Sequence, residues 1–283
     1  MRGLCFSMRQ HLHCGRFLLS LDQPLIMGIV NVTDDSFSGD GLGGDSARAV
    51  EQGLRLVGEG AHMLDLGGES SRPGAQPVSA QQELDRLLPV VEGLRDCGVP
   101  LSIDTLKPAV MRAVLAAGAD MINDIAALRT EGALDAVAGS QAAVCMMHMQ
   151  GEPQTMQQAP HYTDVVAEVA DFLAARVAAA EAAGIGLERV VVDPGFGFGK
   201  TLAHNLSLLR RLPELHAANV PLLVGLSRKS MLGLLTGRPA SERIHAGTAA
   251  ALLALQRGAA IVRTHDVAPL RDAIAVWNAV EER

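Results

Sequence analysis

The run LIMGIVNV, residues 25–32, decides the fold of this chain. It is short and almost wholly apolar, and a Gly-rich segment separates it from an amphipathic stretch that predicts a helix over residues 46–59. Apolar strands without alternation are typical of parallel sheets that are buried on both faces. The run and its helix therefore form a predicted βα unit.

The same unit recurs along the chain. Other short apolar runs predict strands over residues 63–66, 101–104, 121–123, 142–147, 190–193, 222–225 and 260–263. Helices are predicted after them over residues 80–96, 108–117, 131–138, 164–183, 203–211, 241–257 and 268–281. Ser79 and Gln82 have capping-box spacing, which supports a helix start at residue 80.

Eight such units between residues 25 and 280 match the roughly 250 residues typical of a (β/α)₈ barrel. We therefore predict an α/β fold with a single (β/α)₈ TIM barrel over residues 25–283. Residues 1–24 are interpreted as an N-terminal extension, with the bottom of the barrel as its candidate position. A doubly wound sheet is the alternative, but it does not bring a polar residue to the end of nearly every strand.

Composition narrows the classes of partner and compartment. The formal net charge of -7 argues against a broad basic surface, so no nucleic-acid partner is expected. No apolar run approaches the roughly 18 residues of a membrane span, and no membrane association is expected. The cysteines Cys5, Cys14, Cys97 and Cys145 lack CxxC spacing, which predicts reduced thiols and a cytoplasmic protein.

Polar side chains stand at or just past the end of nearly every predicted strand. Because these ends meet at one face of a barrel, where the active sites of this fold lie, we expect them to form one site. Taken singly, Asn and Asp are also common turn formers, an alternative that does not apply to lysine or histidine. The ring comprises Asn31, Asp65, Asp104, Asn123, His148, Asp193, Lys229 and His265.

This ring combines two kinds of chemistry. Asp104, Asn123 and Asp193 suit the N–H and carbonyl edge of a flat heterocycle such as an aminopyrimidinone. Cationic residues suit a phosphate or pyrophosphate, which arginine binds with two parallel hydrogen bonds. Asn31, uncharged beside a polyphosphate, is a candidate Mg²⁺ ligand. The cationic residues are Lys229 and His265 of the ring, together with Arg72 and Arg263.

Two connections, residues 34–45 and 67–76, are long and rich in Gly and Ser. They predict lids that close over the site, with two ordinary surface loops as the alternative. Asp65 and Glu69 are interpreted as supports of the second loop.

The stretch GFGFGKT, residues 195–201, is similar in composition to a phosphate-binding loop. Only three residues separate Gly195 from Gly199, whereas the Walker pattern needs four, so nucleotide binding is not expected. For His148, a catalytic role and a packed histidine that orients a loop both remain open.

Eight motifs resemble those of the dihydropteroate synthase family in kind, order and spacing, and they cover the chain from Gly28 to Asp266. The motifs are GIVNVTDDSFS (28–38), MLDLGGESSRPG (63–74), SIDTLKP (102–108), INDI (122–125), MMHMQG (146–151), DPGFGFGK (193–200), LSRKS (226–230) and RTHD (263–266).

The resemblance implies a (β/α)₈ transferase that condenses 6-hydroxymethyl-7,8-dihydropterin diphosphate with p-aminobenzoate. The implied products are 7,8-dihydropteroate, for folate, and pyrophosphate. The implied reaction is a dissociative substitution behind the two loops, in which a pterin cation forms before the arylamine attacks. Mg²⁺ as cofactor, small-molecule substrates, a homodimer and sulfonamide binding are also implied.

Site residues follow from the resemblance by motif position. The pterin is expected at Asp104, Asn123, Asp193 and Lys229, and Mg²⁺ at Asn31. Pyrophosphate is expected at Asn31, Ser71, Arg72, Arg263 and His265, and p-aminobenzoate at Phe37, Pro73, Phe198, Ser227 and Lys229. The catalytic candidates are Asp104, Lys229, Arg263 and His265.

Four residues depart from the family's pattern, and one of them, Ser71, replaces a usual Thr and keeps the hydroxyl group. Asp34 and Gly39 stand where the family commonly has Pro and Asp, and we expect Asp34 to weaken the hold on pyrophosphate or to alter the response to sulfonamides. Leu106 replaces a usual Ser or Thr, which removes a polar contact. The alternative functions are a pterin-dependent corrinoid methyltransferase, which does not need the SSRPG and SRKS loops, and a catalytically weak pterin-binding paralogue.

Overall fold

The computed structural model describes residues 10–32, 46–70, 76–215 and 219–281. An antiparallel hairpin precedes the barrel and consists of β1 (His11–Cys14) and β2 (Phe17–Ser20). This hairpin was not predicted from the sequence, because two four-residue strands joined at Gly15 are too short to show a clear period.

Within the described residues, eight parallel strands form the barrel. They are β3 (Leu25–Asn31), β4 (Met63–Gly67), β5 (Leu101–Asp104), β6 (Met121–Asp124), β7 (Ala143–Met147), β8 (Val190–Asp193), β9 (Leu223–Gly225) and β10 (Ile261–Thr264). The strands pair in the order β8-β7-β6-β5-β4-β3-β10-β9, and a bridge between Val192 and Leu222 joins the two ends. The predicted (β/α)₈ barrel is confirmed.

Helices surround these strands. They are α1 (Ser46–Glu59), α2 (Ala80–Leu94), α3 (Pro108–Ala116), α4 (Ala133–Ala138), α5 (Val165–Ala182), α6 (Leu202–Arg210), α7 (Ser230–Thr236), α8 (Ile244–Leu255) and α9 (Val267–Val280). The predicted capping box of Ser79 and Gln82 is present at α2. Helix α7 was not predicted, because seven residues are too few for a helical period to stand out.

Side chains that point into the barrel form two levels, because alternate residues of a strand share a face. Met121, Val191 and Ile261 belong to a buried apolar cluster in the lower level. Two residues further along the same strands, Asn123, Asp193 and Arg263 line an open cavity. The polar side chains of these three strands therefore lie directly above an apolar plug.

The hairpin contributes to that plug from the N-terminal side. Leu12 and Cys14 are buried in the same apolar cluster as the lower-level residues. Asp120, at the start of β6, accepts hydrogen bonds from the backbone N–H, Nε and Nη2 of Arg16 at 3.1 to 3.2 Å. Its other carboxylate contact is the N–H of Leu101 at 3.1 Å. One buried carboxylate thus ties the hairpin to β5 and β6.

Candidate active site

A cavity of about 400 Å³ opens at the carboxyl ends of the barrel strands. It gathers the described members of the predicted site, namely Asn31, Asp104, Asn123, Asp193, Phe198, Ser227, Lys229, Arg263 and His265. The predicted site residues Phe37, Ser71, Arg72 and Pro73 lie outside the described residues, as do Asp34 and Gly39.

Two carboxyl groups lie on the floor of the cavity. Burial raises the pKa of Asp104 to about 7, and the positive charge of Arg263 opposes this shift. Burial also raises the pKa of Asp193 to about 6, against the hydrogen bond that the N–H of Gly195 donates at 2.7 Å. Both groups therefore change charge near neutral pH, and only their ionised forms are pure acceptors for ring N–H groups.

Arg263 crosses the cavity floor between two carboxylates of other strands. Its Nε donates to Oδ2 of Asp65 at 2.6 Å, and its Nη2 donates to Oδ2 of Asp104 at 3.2 Å. The side chain of Asp65 is fully buried. Arg263 thus reaches the cavity as predicted, but its charge is already balanced within the protein.

Lys229 and Phe198 meet at one side of the cavity. Nζ of Lys229 lies 4.1 Å from the centre of the Phe198 ring, within the range of a cation–π contact. Nearby, Oγ of Ser227 lies 3.0 Å from Nδ1 of His265 and accepts the backbone N–H of the same residue at 3.3 Å. These contacts hold the segments after β9 and β10 together at the cavity mouth.

Two arginines that were not predicted as site residues hold the turn that carries Lys229. Arg228 has a φ of 58°, and its Nη2 donates to Oδ1 of Asp266 at 2.9 Å. Arg243 donates from Nη1 to the carbonyl oxygens of Arg228 and Lys229 at 3.0 and 3.3 Å. Both arginines line the cavity. No local pattern marks them, because their partners are backbone groups or lie far along the chain.

In the Gly-rich turn after β8, Lys200 is directed into the turn and not towards a ligand. Nζ of Lys200 is buried and lies 2.9 Å from each of three atoms: Nδ1 of His148 and the carbonyl oxygens of Gly195 and Phe198. Burial lowers the pKa of Lys200 to about 7. The amino group of Lys200 is bonded inside the turn, which differs from the arrangement of a phosphate-binding loop.

Two members of the predicted ring, Asp65 and His148, do not line the cavity. His148 is buried against Phe172, with ring centres 4.9 Å apart, and burial followed by the charge of Lys200 lowers its pKa to about 3. It is therefore a packed, neutral histidine. Glu69 accepts the N–H of Val78 at 3.0 Å and also lines the cavity, whereas Asp65 bonds to residues of the barrel interior.

One wall of the cavity is apolar. Ile125, Met147 and Met156 line it and belong to a buried cluster against which Phe198 packs. Leu106 packs against the same cluster, so this departure from the family's pattern adds apolar surface near the site. A flat ring fits against such a wall through dispersion contacts.

Among the described residues, no helix is both long and apolar enough to cross a membrane. The same part of the chain holds no group of three or more His, Cys, Asp or Glu side chains placed to bind a metal ion.

Comparisons with known proteins agree with this geometry. Residues 27–265 match the model of the family described as pterin binding enzyme. Dihydropteroate synthase of Neisseria meningitidis serogroup B is 51% identical over 273 residues, which cover 94% of this chain and 96% of that protein. The enzyme of that name from Escherichia coli K12 is 49% identical over 262 residues, covering 92% and 93%. This chain belongs to the dihydropteroate synthase family.

Solved structures of dihydropteroate synthases share the whole fold. The Burkholderia cenocepacia enzyme complexed with 7,8-dihydropteroate has a TM-score of 0.90 at 53% identity, covering 97% of this chain and 98% of that one. The Xanthomonas albilineans enzyme with 4-aminobenzoic acid has a TM-score of 0.89 at 52% identity, covering 97% and 99%. As a dihydropteroate synthase family member, the chain is a transferase.

Proposed function

We propose that this chain condenses 6-hydroxymethyl-7,8-dihydropterin diphosphate with p-aminobenzoate, giving 7,8-dihydropteroate and pyrophosphate. One observation carries the proposal: a single cavity joins buried carboxylate and amide groups, an apolar wall and cationic side chains. These are the groups needed by a polar heterocycle that carries an anionic leaving group. The solved relatives named above bind 7,8-dihydropteroate and 4-aminobenzoic acid.

In this proposal the pterin ring lies over the cavity floor. Asp104, Asn123 and Asp193 accept its N–H groups, and Lys229 binds its carbonyl edge. Phe198 and Ser227, with Lys229, border the p-aminobenzoate. Arg263 and His265, with Asn31, hold the pyrophosphate. Phe37, Ser71, Arg72 and Pro73 are proposed for the aminobenzoate and pyrophosphate sites on the resemblance alone.

The proposed reaction begins with cleavage of the C–O bond between the pterin methylene group and the diphosphate. The bonding electrons leave with pyrophosphate, and the resulting pterin cation is attacked by the arylamine nitrogen, which then loses a proton. Asp104 and Asp193, when ionised, place negative charge beside the cation, while Arg263 and His265 face the departing anion. Preorganised charges of this kind stabilise such a transition state.

Mg²⁺ is proposed as the cofactor, with Asn31 as its protein ligand. Asn31 ends β3 at the cavity, where its amide oxygen is an appropriate hard donor. Because Mg²⁺ often keeps water and substrate phosphate oxygens as its other ligands, one protein oxygen is sufficient. When bound, the ion neutralises charge on the diphosphate.

Pyrophosphate release that depends on p-aminobenzoate tests the function. We expect release by the wild-type protein and a loss of activity of at least about a hundredfold in Asp193→Asn, because the pterin loses a charged acceptor and the cation loses a neighbouring negative charge. Asp171→Asn, at an exposed position on α5, is the matched control and should retain full activity. Methyl transfer from methyltetrahydrofolate to a corrinoid, or pterin binding without turnover, would support an alternative function instead.

A homodimer is also proposed. Leu234 and Leu235 of α7 are 70% and 54% exposed, and Leu253 of the neighbouring α8 is 42% exposed. Exposed apolar side chains on two helices that contact each other favour association with a second copy, since most oligomers pair identical surfaces. Leu234→Glu should convert a dimer to a monomer in light scattering, whereas Leu54→Glu, at the exposed face of α1, should not.

A reducing, cytoplasmic location is proposed from the thiols. Cys14, Cys97 and Cys145 are free, and burial raises the pKa of the Cys145 thiol. Unpaired cysteines persist in reducing compartments. Localisation of a tagged chain in the source cell tests this.

A further inference from the structure

We propose that Asp65 is a positioning residue that fixes the hydrogen-bonding polarity of the pterin subsite, an inference that rests on the proposed function. Asp65 lies on β4, where it pairs with Ile29 of β3 and Ser102 of β5. Its side chain is fully buried and does not line the cavity. It therefore acts on a ligand only through its neighbours.

Every side chain bonded to this carboxylate is a donor. Oδ1 accepts the hydroxyl of Ser102 at 2.6 Å. Oδ2 accepts Nδ2 of Asn123 at 3.2 Å and Nε of Arg263 at 2.6 Å. An ionised carboxylate accepts and cannot donate, so these three groups have only one compatible orientation.

For Asn123 this contact decides which end of the amide meets the ligand. The NH₂ group is directed to Asp65, and the amide oxygen remains to face the cavity that Asn123 lines. Asn123 is thereby an acceptor for a ligand N–H. Without the carboxylate, rotation of the amide by half a turn would offer a donor instead, because the two ends have nearly the same shape.

For Arg263 the contact fixes the plane of the guanidinium. Nε is held by Asp65 and Nη2 by Asp104, so two carboxylates share one edge of the group. The edge towards Nη1 is left for a ligand. Because Asp65 also pairs with Arg263, Asp104 is not the only counter-ion of this arginine. The carboxylate of Asp104 therefore keeps an oxygen that can accept a hydrogen bond from a ligand in the cavity.

The test is binding of pterin and of its 2-oxo counterpart, in which a carbonyl acceptor replaces the amino donor. We expect Asp65→Asn to raise the Kd for pterin by about tenfold or more, since charge-assisted hydrogen bonds hold both neighbours. The preference for pterin over the 2-oxo compound should narrow by at least about threefold, because Asn123 becomes free to present its NH₂ group.

Ser102→Ala is the matched control. It removes a hydrogen bond to Asp65 but leaves the carboxylate, Asn123 and Arg263 in place, so the Kd for pterin should change less than about twofold. A merely structural role for Asp65 would lower thermal stability in both variants and leave the ligand preference unchanged.

Binding of pterin by the wild-type protein distinguishes a failure of the role of Asp65 from a failure of the proposed function. If the wild-type protein binds pterin and Asp65→Asn keeps both its Kd and its preference, the role of Asp65 is overturned and the proposed function stands. If the wild-type protein binds no pterin, the proposed function is overturned together with this subsite.

A second measurement uses the wild-type protein alone, in case Asp65→Asn does not fold. In nitrogen-15 NMR, the Nε–H of Arg263 and the side-chain NH₂ of Asn123 should exchange slowly with water, both before and after pterin binds. Fast exchange of either group would overturn the proposal.

Discussion

Nζ of Lys200 lies 2.9 Å from Nδ1 of His148, and both side chains are buried. The same nitrogen binds the carbonyl oxygens of Gly195 and Phe198, so one lysine connects the end of β7 to the turn that begins just after Asp193. At neutral pH the contact suits either a charged lysine beside an unprotonated Nδ1 or a neutral amine that accepts the Nδ1 hydrogen.

Replacing this lysine should change how stability depends on pH. Burial lowers the pKa of Lys200 to about 7 in the folded protein, whereas the unfolded chain keeps its proton up to the ordinary value of 10.5. Between these pH values the unfolded state binds more protons, so this group makes the free energy of unfolding rise with pH. We expect the stability advantage of the wild type over Lys200→Met to grow from pH 7 to pH 10 in urea denaturation. Parallel stability curves would contradict this.

Affinity for pterin should also depend on pH, through the two cavity carboxyls. The pKa of Asp104 is raised to about 7 and that of Asp193 to about 6, and only the ionised forms accept ring N–H groups without competition. Calorimetry should show binding strengthening by about tenfold or more between pH 5 and pH 7.5. Asp193→Asn should lose the part of this change near pH 6; a flat profile for the wild type would exclude the carboxyls as the acceptors.

The same two carboxyl groups should make the ligand-free protein less stable as pH rises, whereas they make pterin binding stronger. Their raised pKa values mean that the folded state binds more protons than the unfolded state between about pH 4 and pH 7. This pair of groups therefore lowers the free energy of unfolding as pH rises through that window. The double variant Asp104→Asn/Asp193→Asn should lose this contribution, as measured by denaturation at pH 4.5 and pH 7.

Asp120 should be a major anchor of the hairpin. Asp120→Ala leaves the N–H of Leu101 and Nε of Arg16 without their acceptor, and we expect a loss of about 3 kcal/mol in the free energy of unfolding. Hydrogen exchange of residues 11–20 should accelerate. Asp96→Ala is the matched control, because exposed Asp96 lies 4.0 Å from the same arginine and should contribute less than about 1 kcal/mol. Equal effects of the two variants would exclude the anchor role.

Substitution by alanine should lower the stability of the protein at one glycine and raise it at another. Gly195 has a φ of 68°, and a Cβ there would lie 1.9 Å from the carbonyl oxygen of His148. Gly195→Ala should therefore displace the turn after Asp193, weaken pterin binding and cost about 3 kcal/mol of stability. Gly58→Ala, on α1 with no atom within 4 Å of the added carbon, should raise stability by about 0.5 kcal/mol. If Gly195→Ala binds pterin as tightly as the wild type, displacement of the turn does not affect the pterin site and the prediction is wrong.

Much of the site was predictable because the period of apolar residues marks each strand locally, and a parallel barrel brings the ends of its strands to one face. Asp104, Asn123 and Asp193 end short apolar strands, and parallel strands bring such ends to one face. The same reasoning failed for Asp65 and His148. Asp65 lies one level lower in the barrel, level with Ser102, and His148 points into packing beside Lys200. The position of a residue at the end of a strand predicts neither how deep its side chain lies in the barrel nor which way the side chain points.

The sequence by itself determined the barrel, since eight apolar runs with helices between them have few other ways to bury both faces. It also determined several of the polar groups that line the cavity, among them Asp104, Asn123 and Asp193. Only the tertiary structure decided how their charges pair: Arg263 meets Asp65 and Asp104, which lie 198 and 159 residues away along the chain. Closure of the barrel sets β10 beside β3 and fixes the stagger of all strands, so the level at which each side chain enters the interior is a property of the closed sheet.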